Sequence, residues 1–468
     1  MRSRHTRTMS TDTRGQALPH PARRLPVLGD VLAVDRNSPT QSELNLAQQL
    51  GPIYELKFGP DRFLVVSSGA LATQVNDEER WSKLVAGPFR AMRTKRFTGK
   101  GLLTANSSDP LWDHANTLLG PAFTQTAMRS YHSEMASAVS QLIELWAASD
   151  GKPVDVVDDM SRLTLEVIGR AGFGRSLGTL EHDYDYGFTQ RIRGALTAIS
   201  QSANDFPGSD ALKRTRTRTF ESDKEWLRNY AAQIIDTADE STKASLLGNM
   251  LAGAGSTPPL PRDNIVDQAI TFLAAGTDTT AGLLSFALYF LARDAQLLHA
   301  IQDDVDQTIE GDRIPFEDVP RLRSIRRVLD ETLRLWPVAP GYFHIAEADQ
   351  TLGGYSISRG DVAFVLTLGV HRDQTTWGSD ADEFDPQRFA PGSKKHPDRV
   401  YKPFGTGPRS CIGRQFALHE ATLALAAIVR NFDPCFAQQE GDATPELRVD
   451  EMLTLKPHDL KLTMRPRR

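Results

Sequence analysis

Residues 263–294 most constrain what this sequence can fold into. The run contains no proline, and its apolar side chains fall on most faces of a helix. Asp263 and Asn264 are both good helix N-caps. At about 1.5 Å per residue such a helix spans roughly 45 Å, enough to cross a whole domain. A helix apolar on most sides must also be covered on most sides, so the rest of the chain has to supply a shell around it. A membrane span is not expected, because the richest part, residues 282–292, contains Ser285 and falls short of the ~20 apolar residues a bilayer needs. In the middle stands Ala275-Gly276-Thr277-Asp278-Thr279-Thr280. Polar side chains there are costly in a buried helix unless they are used or partnered. The plain alternative is a polar patch at a helix kink.

The rest of the chain fits a helical shell with some strands. Ile53–Phe58 and residues 63–67 read as strands split by a turn at Gly59, Pro60 and Asp61. Residues 128–148 and 160–169 carry apolar positions at helical spacing. Residues 201–218 read as a flexible surface stretch between helices, and 256–261 as a proline-rich loop. Residues 355–369 and 447–464 return to strand-like alternation. The composition, 40% hydrophobic and 24% charged over 468 residues, is that of a globular protein and argues against disorder. A net charge of -5 gives no nucleic-acid signal. Residues 1–24 differ, with Arg2, Arg4, Arg7, Arg14, Arg23 and Arg24 against the single acid Asp12. With Pro19 and Pro21 they are expected to form a flexible basic tail. An Arg- and Ser-rich start also suits a transit peptide, but no clear amphipathic helix follows it. Cys411 and Cys435 are too few for a disulfide scaffold, which makes a reducing cytoplasm the simplest compartment.

The most informative stretch is Phe404-Gly405-Thr406-Gly407-Pro408-Arg409-Ser410-Cys411-Ile412-Gly413. Two glycines ahead of the cysteine permit a tight hairpin with positive φ. A helix is predicted just after it, over 415–430. A cysteine before a helix N-terminus lies among free backbone N–H groups. Those donors and the positive helix end favour a thiolate. A thiolate is a strong axial ligand for haem and promotes O–O cleavage. For an isolated cysteine the usual alternative is a buried structural residue, which is the reading for Cys435.

This loop resembles the haem-binding signature of the cytochrome P-450 family; Phe404, Gly405, Arg409, Cys411 and Gly413 fit its spacing in full. Glu331-Thr332-Leu333-Arg334 is similar to the family's Glu-x-x-Arg motif, and Pro386-Gln387-Arg388-Phe389 to the segment that supplies its arginine partner. The resemblance implies a structural triad of Glu331, Arg334 and Arg388, although Glu-x-x-Arg alone is usually a solvated helix pair. Residues 275–280 are similar to the family's oxygen-activation segment. Thr279 and Asp278 are thereby implied to deliver the two protons consumed in cleaving O2, with Gly276 leaving room for oxygen and letting the helix loosen. Haem b is the implied cofactor and Cys411 its iron ligand. Arg409, Trp112 and Lys83 are implied to approach the propionates, and Phe404, Gly405, Gly413 and Ala275 to surround the haem. A basic residue would be expected one turn after Trp112, where this chain has Asn116. Lys83 on its own would read as a surface lysine. His371-Arg372-Asp373 is similar to another family segment and reads as structural.

The resemblance runs from about Arg24 to Pro457. It is most evident with the haem domain of bacterial self-sufficient fatty-acid hydroxylases, through Gly282-Leu283-Leu284-Ser285-Phe286-Ala287-Leu288-Tyr289-Phe290-Leu291, Phe416-Ala417-Leu418-His419-Glu420-Ala421-Thr422 and Leu453-Thr454-Leu455-Lys456-Pro457. It implies a mainly α fold with small β-sheets, the cytochrome P-450 fold, and residues 25–468 as a single haem-thiolate monooxygenase domain of a soluble, cytoplasmic, bacterial protein. In those relatives a flavin reductase follows in the same chain. This sequence ends at Arg468, so electrons are expected from a separate ferredoxin or flavodoxin and a reductase drawing on NAD(P)H, with docking at a basic patch of Lys402, Arg409 and Arg414. O2 and a small apolar substrate complete the set.

The pocket departs from those relatives. Asp61 stands where they carry a carboxylate-anchoring arginine, Val65 replaces the neighbouring tyrosine, and Leu103 replaces a phenylalanine over the haem. Leu103, Ala339, Leu453 and Ala275 are the expected pocket positions, with ordinary core as the alternative. An acid at the mouth repels a fatty carboxylate, weakly if solvated. A lipid-like or natural-product substrate, hydroxylated or epoxidised, is therefore expected ahead of a free fatty acid. The other readings are a fatty-acid hydroxylase, a peroxide-driven peroxygenase, and a haem-based ligand sensor or carrier without turnover. The last two need no Asp278–Thr279 relay.

Overall fold

In the computed structural model the apolar run is one unbroken α-helix, Arg262–Arg293, with nearly every apolar side chain buried. The structure describes residues 17–203, 214–253, 255, 257–393, 399–437 and 445–467. The helix starts ahead of both expected caps, after Pro261. Asn264 does not cap it, because its amide Nδ2 donates to the Lys100 carbonyl at 3.1 Å and its Oδ1 accepts from Gln268. Interior hydroxyls are satisfied within the helix: Thr277 and Ser285 each donate 2.7 Å to the carbonyl four residues back, the usual outlet for a buried hydroxyl.

The helical shell is built around it. Val156–Val167 is its most extensive helical partner, and Arg323–Leu335 and Arg414–Asn431 also pack on it. The 32-residue helix is thus central. Among the described residues no single helix is long and apolar enough to cross a membrane.

The β-structure is small and segregated. A five-stranded sheet runs in the order Ile53–Phe58, Asp61–Val66, Val362–Val365, Tyr342–Ala346, Trp81–Leu84. The first two strands pair through a two-residue turn, Phe58 opposite Asp61, with Gly59 at φ 58°. Among the described residues, three smaller sheets include the pair Val449–Glu451 and Leu455–Pro457. The expected surface stretch 201–218 is helix as far as Ala203 and again from Arg214. The remainder lies outside the described residues, as do residues 1–16 of the expected tail. Residues 17–24 do not hang free. The Pro19 carbonyl accepts from Glu55 N–H at 2.8 Å, and Arg24 pairs with Asp30 at 2.8 Å and Glu55 at 2.7 Å. Two carboxylates hold the last arginine of that segment against the sheet.

Glu331, Arg334 and Arg388 meet with no exposed side-chain surface. Glu331 accepts two bonds from Arg334, at 2.7 and 2.8 Å, and one from the Asp385 N–H at 2.8 Å. Arg388 Nε lies 3.4 Å from Glu331 Oε1. Arg334 also donates to the carbonyls of His371, Ala381 and Glu383. Glu331→Ala leaves two guanidinium groups buried without that acid. It is expected to lower stability by about 3–5 kcal/mol in urea melts of the holoprotein; a loss under about 1 kcal/mol, the value of a surface pair, would contradict the buried network.

Candidate active site

The cysteine loop is held by its own backbone. Gly405 and Gly407 take φ of 73° and 64°, as the hairpin requires. A side chain on Gly407 would collide with the Glu78 carboxylate. Cys411 N–H donates to the Phe404 carbonyl at 2.8 Å, and Gly405 N–H to the Lys402 carbonyl at 3.1 Å. The Arg414 guanidinium lies over the Phe404 ring at 5.7 Å, and Gly413 precedes the helix.

The cysteine lies just ahead of a helix, as expected: the helix begins at Arg414. Burial pushes the Cys411 thiol up, while the Gly413 N–H, Lys83 and Arg414 pull it the other way. A coordinated metal cation at the sulfur would further favour the thiolate. Cys411 lies deep in the protein yet keeps open surface. The same break in burial occurs at other expected site positions. Ala275, Gly276, Asp278 and Thr279 are only half-buried in an otherwise buried helix, Leu103 and Leu453 are half-buried, and Ala339 is exposed between buried Val338 and Pro340. Cys435 is different: its Sγ contacts the Thr463 carbonyl at 3.4 Å in a strand.

On the long helix, Thr279 Oγ1 donates to the Ala275 carbonyl at 2.7 Å. The Thr277 carbonyl accepts from Thr164 across the helix interface at 2.9 Å. Gly276 faces Ile168, where a Cβ would sit in ordinary contact at 3.6 Å. Its missing side chain therefore opens toward a neighbouring helix, and the helix shows no break there. Asp278 is not free. It pairs with Lys456 at 2.5 Å, a partner from a distant strand that the sequence did not suggest.

Cationic groups gather beside the loop. Lys83 Nζ donates to the Arg409 carbonyl at 3.3 Å. Arg409 turns inward, donating to the carbonyls of Ala105 at 2.8 Å and Leu103 at 3.4 Å, with its guanidinium 4.7 Å over the Trp112 ring. Arg409 is thus no part of a surface docking patch, although Arg414 is exposed. Burial lowers Lys83 to about 8 and Arg409 to about 10. His344, opposite Lys83 in the sheet register, was not singled out from sequence. It is buried, its Nδ1 has no hydrogen-bond partner among the described residues, and burial and then Lys83 hold it at about 4. Only the strand pairing reveals it. Among the described residues no carboxylate pairs with these two cations, and the ammonium, the guanidinium and the His344 ring nitrogen suit the propionates of a haem.

At the expected mouth, Asp61 is exposed, but Val65 is fully buried in a core cluster with Tyr54, Leu56 and Phe286. Val65 therefore cannot contact a substrate. Near the turn, half-buried Phe58, Phe63 and Phe343 form an aromatic cluster.

A family model described as Cytochrome P450 matches residues 19–464. The chain belongs to the cytochrome P450 family. Haem b held by a cysteine thiolate, and oxidoreductase chemistry of the monooxygenase class, come with that family. The P450 chain is 36% identical over 460 residues to a bifunctional cytochrome P450/NADPH–P450 reductase of Bacillus cereus, covering 97% of this chain and 42% of the relative. It is 37% identical over 463 residues to the corresponding protein 2 of Bacillus subtilis, covering 97% and 43%. A self-sufficient cytochrome P450 monooxygenase of Phanerodontia chrysosporium is 32% identical over 453 residues, covering 95% and 42%. The chain thus spans less than half the length of these relatives.

The loop of this P450 also has a titratable support. Buried His371 accepts from the Lys402 N–H through Nε2 at 3.1 Å, and burial, then Arg334, hold it at about 3 against an ordinary 6.5. A depressed histidine binds protons in the unfolded chain before it does in the folded one. Its contribution is complete above about pH 6.5 and is lost as pH falls toward 3. Urea midpoints measured across that window should fall less steeply for His371→Gln than for the native protein; equal slopes would remove His371 as the acid-sensitive support.

Proposed function

We propose that this chain is a haem-thiolate monooxygenase acting on an apolar, lipid-like or natural-product substrate, with Cys411 as the iron ligand. The observation that carries this is a thiol deep in the protein with open surface, in a loop fixed by the Phe404 carbonyl. Lys83, Arg409 and His344 hold the propionates, with Trp112 beneath the Arg409 guanidinium and Phe404, Gly405, Gly413 and Ala275 around the ring. When bound, the haem supplies O2 binding, electron acceptance and oxygen transfer.

The chain's own residues supply protons and shape. Thr279 already donates its proton to the Ala275 carbonyl, so its oxygen lone pairs are free to accept another. Asp278, one residue away, is the acid that passes protons from solvent to that hydroxyl. Leu103, Ala339 and Leu453 give an apolar wall that binds by excluding water. Electrons come from an NADPH-linked reductase, the activity that the Bacillus relatives carry beside their P450 part.

One observation favours a fatty-acid hydroxylase as the second reading. The helix Gly87–Thr94 has no acid, carries Arg90 and Arg93, and starts with Gly87 against Phe343. A helix that begins beside Phe343 is thus basic, opposite in sign to Asp61.

Optical titration of the ferric protein separates the two. Neutral terpenoid, aromatic or polyketide-like compounds are expected to shift the haem to high spin at low concentration. A shift produced only by long-chain fatty acids would assign the second reading. Thr279→Ala is expected to cut product per electron pair roughly 100-fold, the lower range for a positioned proton donor. Unchanged coupling would end the proton-delivery assignment.

A further inference from the structure

Two histidines outside the site described above face each other across a helix interface. His132 is on the helix Gln125–Ala147 and His419 on the helix Arg414–Asn431, and these two helices pack together. His132 Nδ1 lies 3.0 Å from His419 Nε2, with the ring centroids 5.3 Å apart and the planes at 79°. His132 Nε2 is 3.0 Å from the Ile314 carbonyl oxygen. A carbonyl only accepts, so this Nε2 carries the proton of its ring and donates it. Burial, then His132, lowers His419 to about 4, and burial lowers His132 as well, so both rings are neutral at neutral pH. Nδ1 of His132 is therefore left with a lone pair, and His419 Nε2–H is the donor between the rings.

This is the arrangement of a chelating pair. An imidazole whose far N–H is held by a backbone carbonyl has its ring orientation and tautomer fixed, as metal-ligating histidines do. Zinc–nitrogen bonds of about 2.0–2.1 Å place two tetrahedral ligands about 3.3 Å apart, close to the spacing found here. Both rings are half-buried, which leaves an entry from solvent. Phe316 packs against the two rings at 5.8 and 5.3 Å and covers one side. The charges nearby offset each other: Glu317 acts on His132, and Arg129, 4.5 Å over the Phe316 ring, is paired with Glu317. Among the described residues no third His, Cys, Asp or Glu completes a ligand set, so water fills the remaining positions on an ion held here.

We propose that His132 and His419 form a binding site for a divalent transition-metal ion of the zinc class, separate from the haem iron. His132 binds through Nδ1 and keeps its bond to the Ile314 carbonyl. His419 binds through Nε2 and carries its proton on Nδ1 instead, so both rings stay neutral and no proton is lost. Nitrogen ligands select zinc, copper and nickel, whereas magnesium and calcium take oxygen. The ion joins the helix Gln125–Ala147 to the helix that starts just after Cys411, with the segment at Ile314 tied to both. The inference goes beyond the monooxygenase reading and does not depend on it.

Zinc sulfate titrated by calorimetry into the untagged, zinc-free ferric holoprotein tests this. One ion per chain is expected to bind with micromolar affinity, and magnesium at the same concentration is expected not to bind. His132→Gln and His419→Gln are each expected to weaken zinc at least about 10-fold, the cost of losing even a supporting group around a metal. His299→Gln, an exposed histidine elsewhere, is expected to leave it unchanged. No binding to the native protein overturns the proposal, and so does native affinity in either of the first two variants, which would leave the pair as a hydrogen bond alone. Should those variants fail to take up haem, the unmutated holoprotein decides. One equivalent of zinc is expected to shield His132 and His419 together from diethyl pyrocarbonate, read on peptides by mass spectrometry; unchanged labelling of both overturns the proposal.

Discussion

The buried meeting of Glu331, Arg334 and Arg388 fixes the position of the thiol through a continuous set of bonds. Arg334 donates to the His371 carbonyl, and the His371 ring accepts the Lys402 N–H. The Lys402 carbonyl accepts from Gly405, and the Phe404 carbonyl from Cys411. Tyr401 adds a second tie to the same helix through its hydroxyl, 3.0 Å from the Asp330 carboxylate. Each link takes a backbone group that a loop would otherwise leave to water. An ion network of this kind is not a large net source of stability, because desolvation offsets most of the attraction. Its consequence is geometric: a loop with two left-handed glycines is held in one conformation beside the central helix.

The electrostatics of the site are those of a protein prepared for a charged guest. The thiol is pushed toward its neutral form by burial, while Lys83 and Arg409 are pushed toward theirs for the same reason. An iron at the sulfur and carboxylates at the cations would relieve both at once. Both cations donate to backbone carbonyls but are given no counter-charge by those bonds, and burying a charge without one is costly. Family membership supplies the guest, haem b, and the sheet register places a buried histidine, His344, opposite Lys83.

Much of this was legible in the sequence. Apolar spacing located the long helix, and alternation located the first hairpin. The loop glycines were readable because only a glycine-like φ permits that turn. What was not legible depended on contacts between distant segments. Asn264 looked like a cap, but Lys100 takes its amide. Asp278 looked like a free acid, but Lys456 approaches across 178 residues of sequence. Arg409 was read both as a propionate contact and as part of a docking patch, and its bonds to Ala105 and Leu103 turn it away from the second role. Val65 was read at the channel mouth, but its place in the strand pleat points it into the core. The cysteine stands just ahead of the helix Arg414–Asn431, as its sequence position suggested, and what the sequence did not show is that burial opposes the charge of the thiol.

The iron ligand proposed for this chain is Cys411 and not the other thiol, Cys435. The carbon monoxide difference spectrum of the reduced holoprotein reads the axial ligand directly. The account predicts that the native protein and Cys435→Ser both give the long-wavelength Soret band from which the family takes its name. It predicts that Cys411→His moves the band to the shorter wavelength of an imidazole-ligated haem. A native spectrum of the imidazole type, or a band unchanged in Cys411→His, would contradict it.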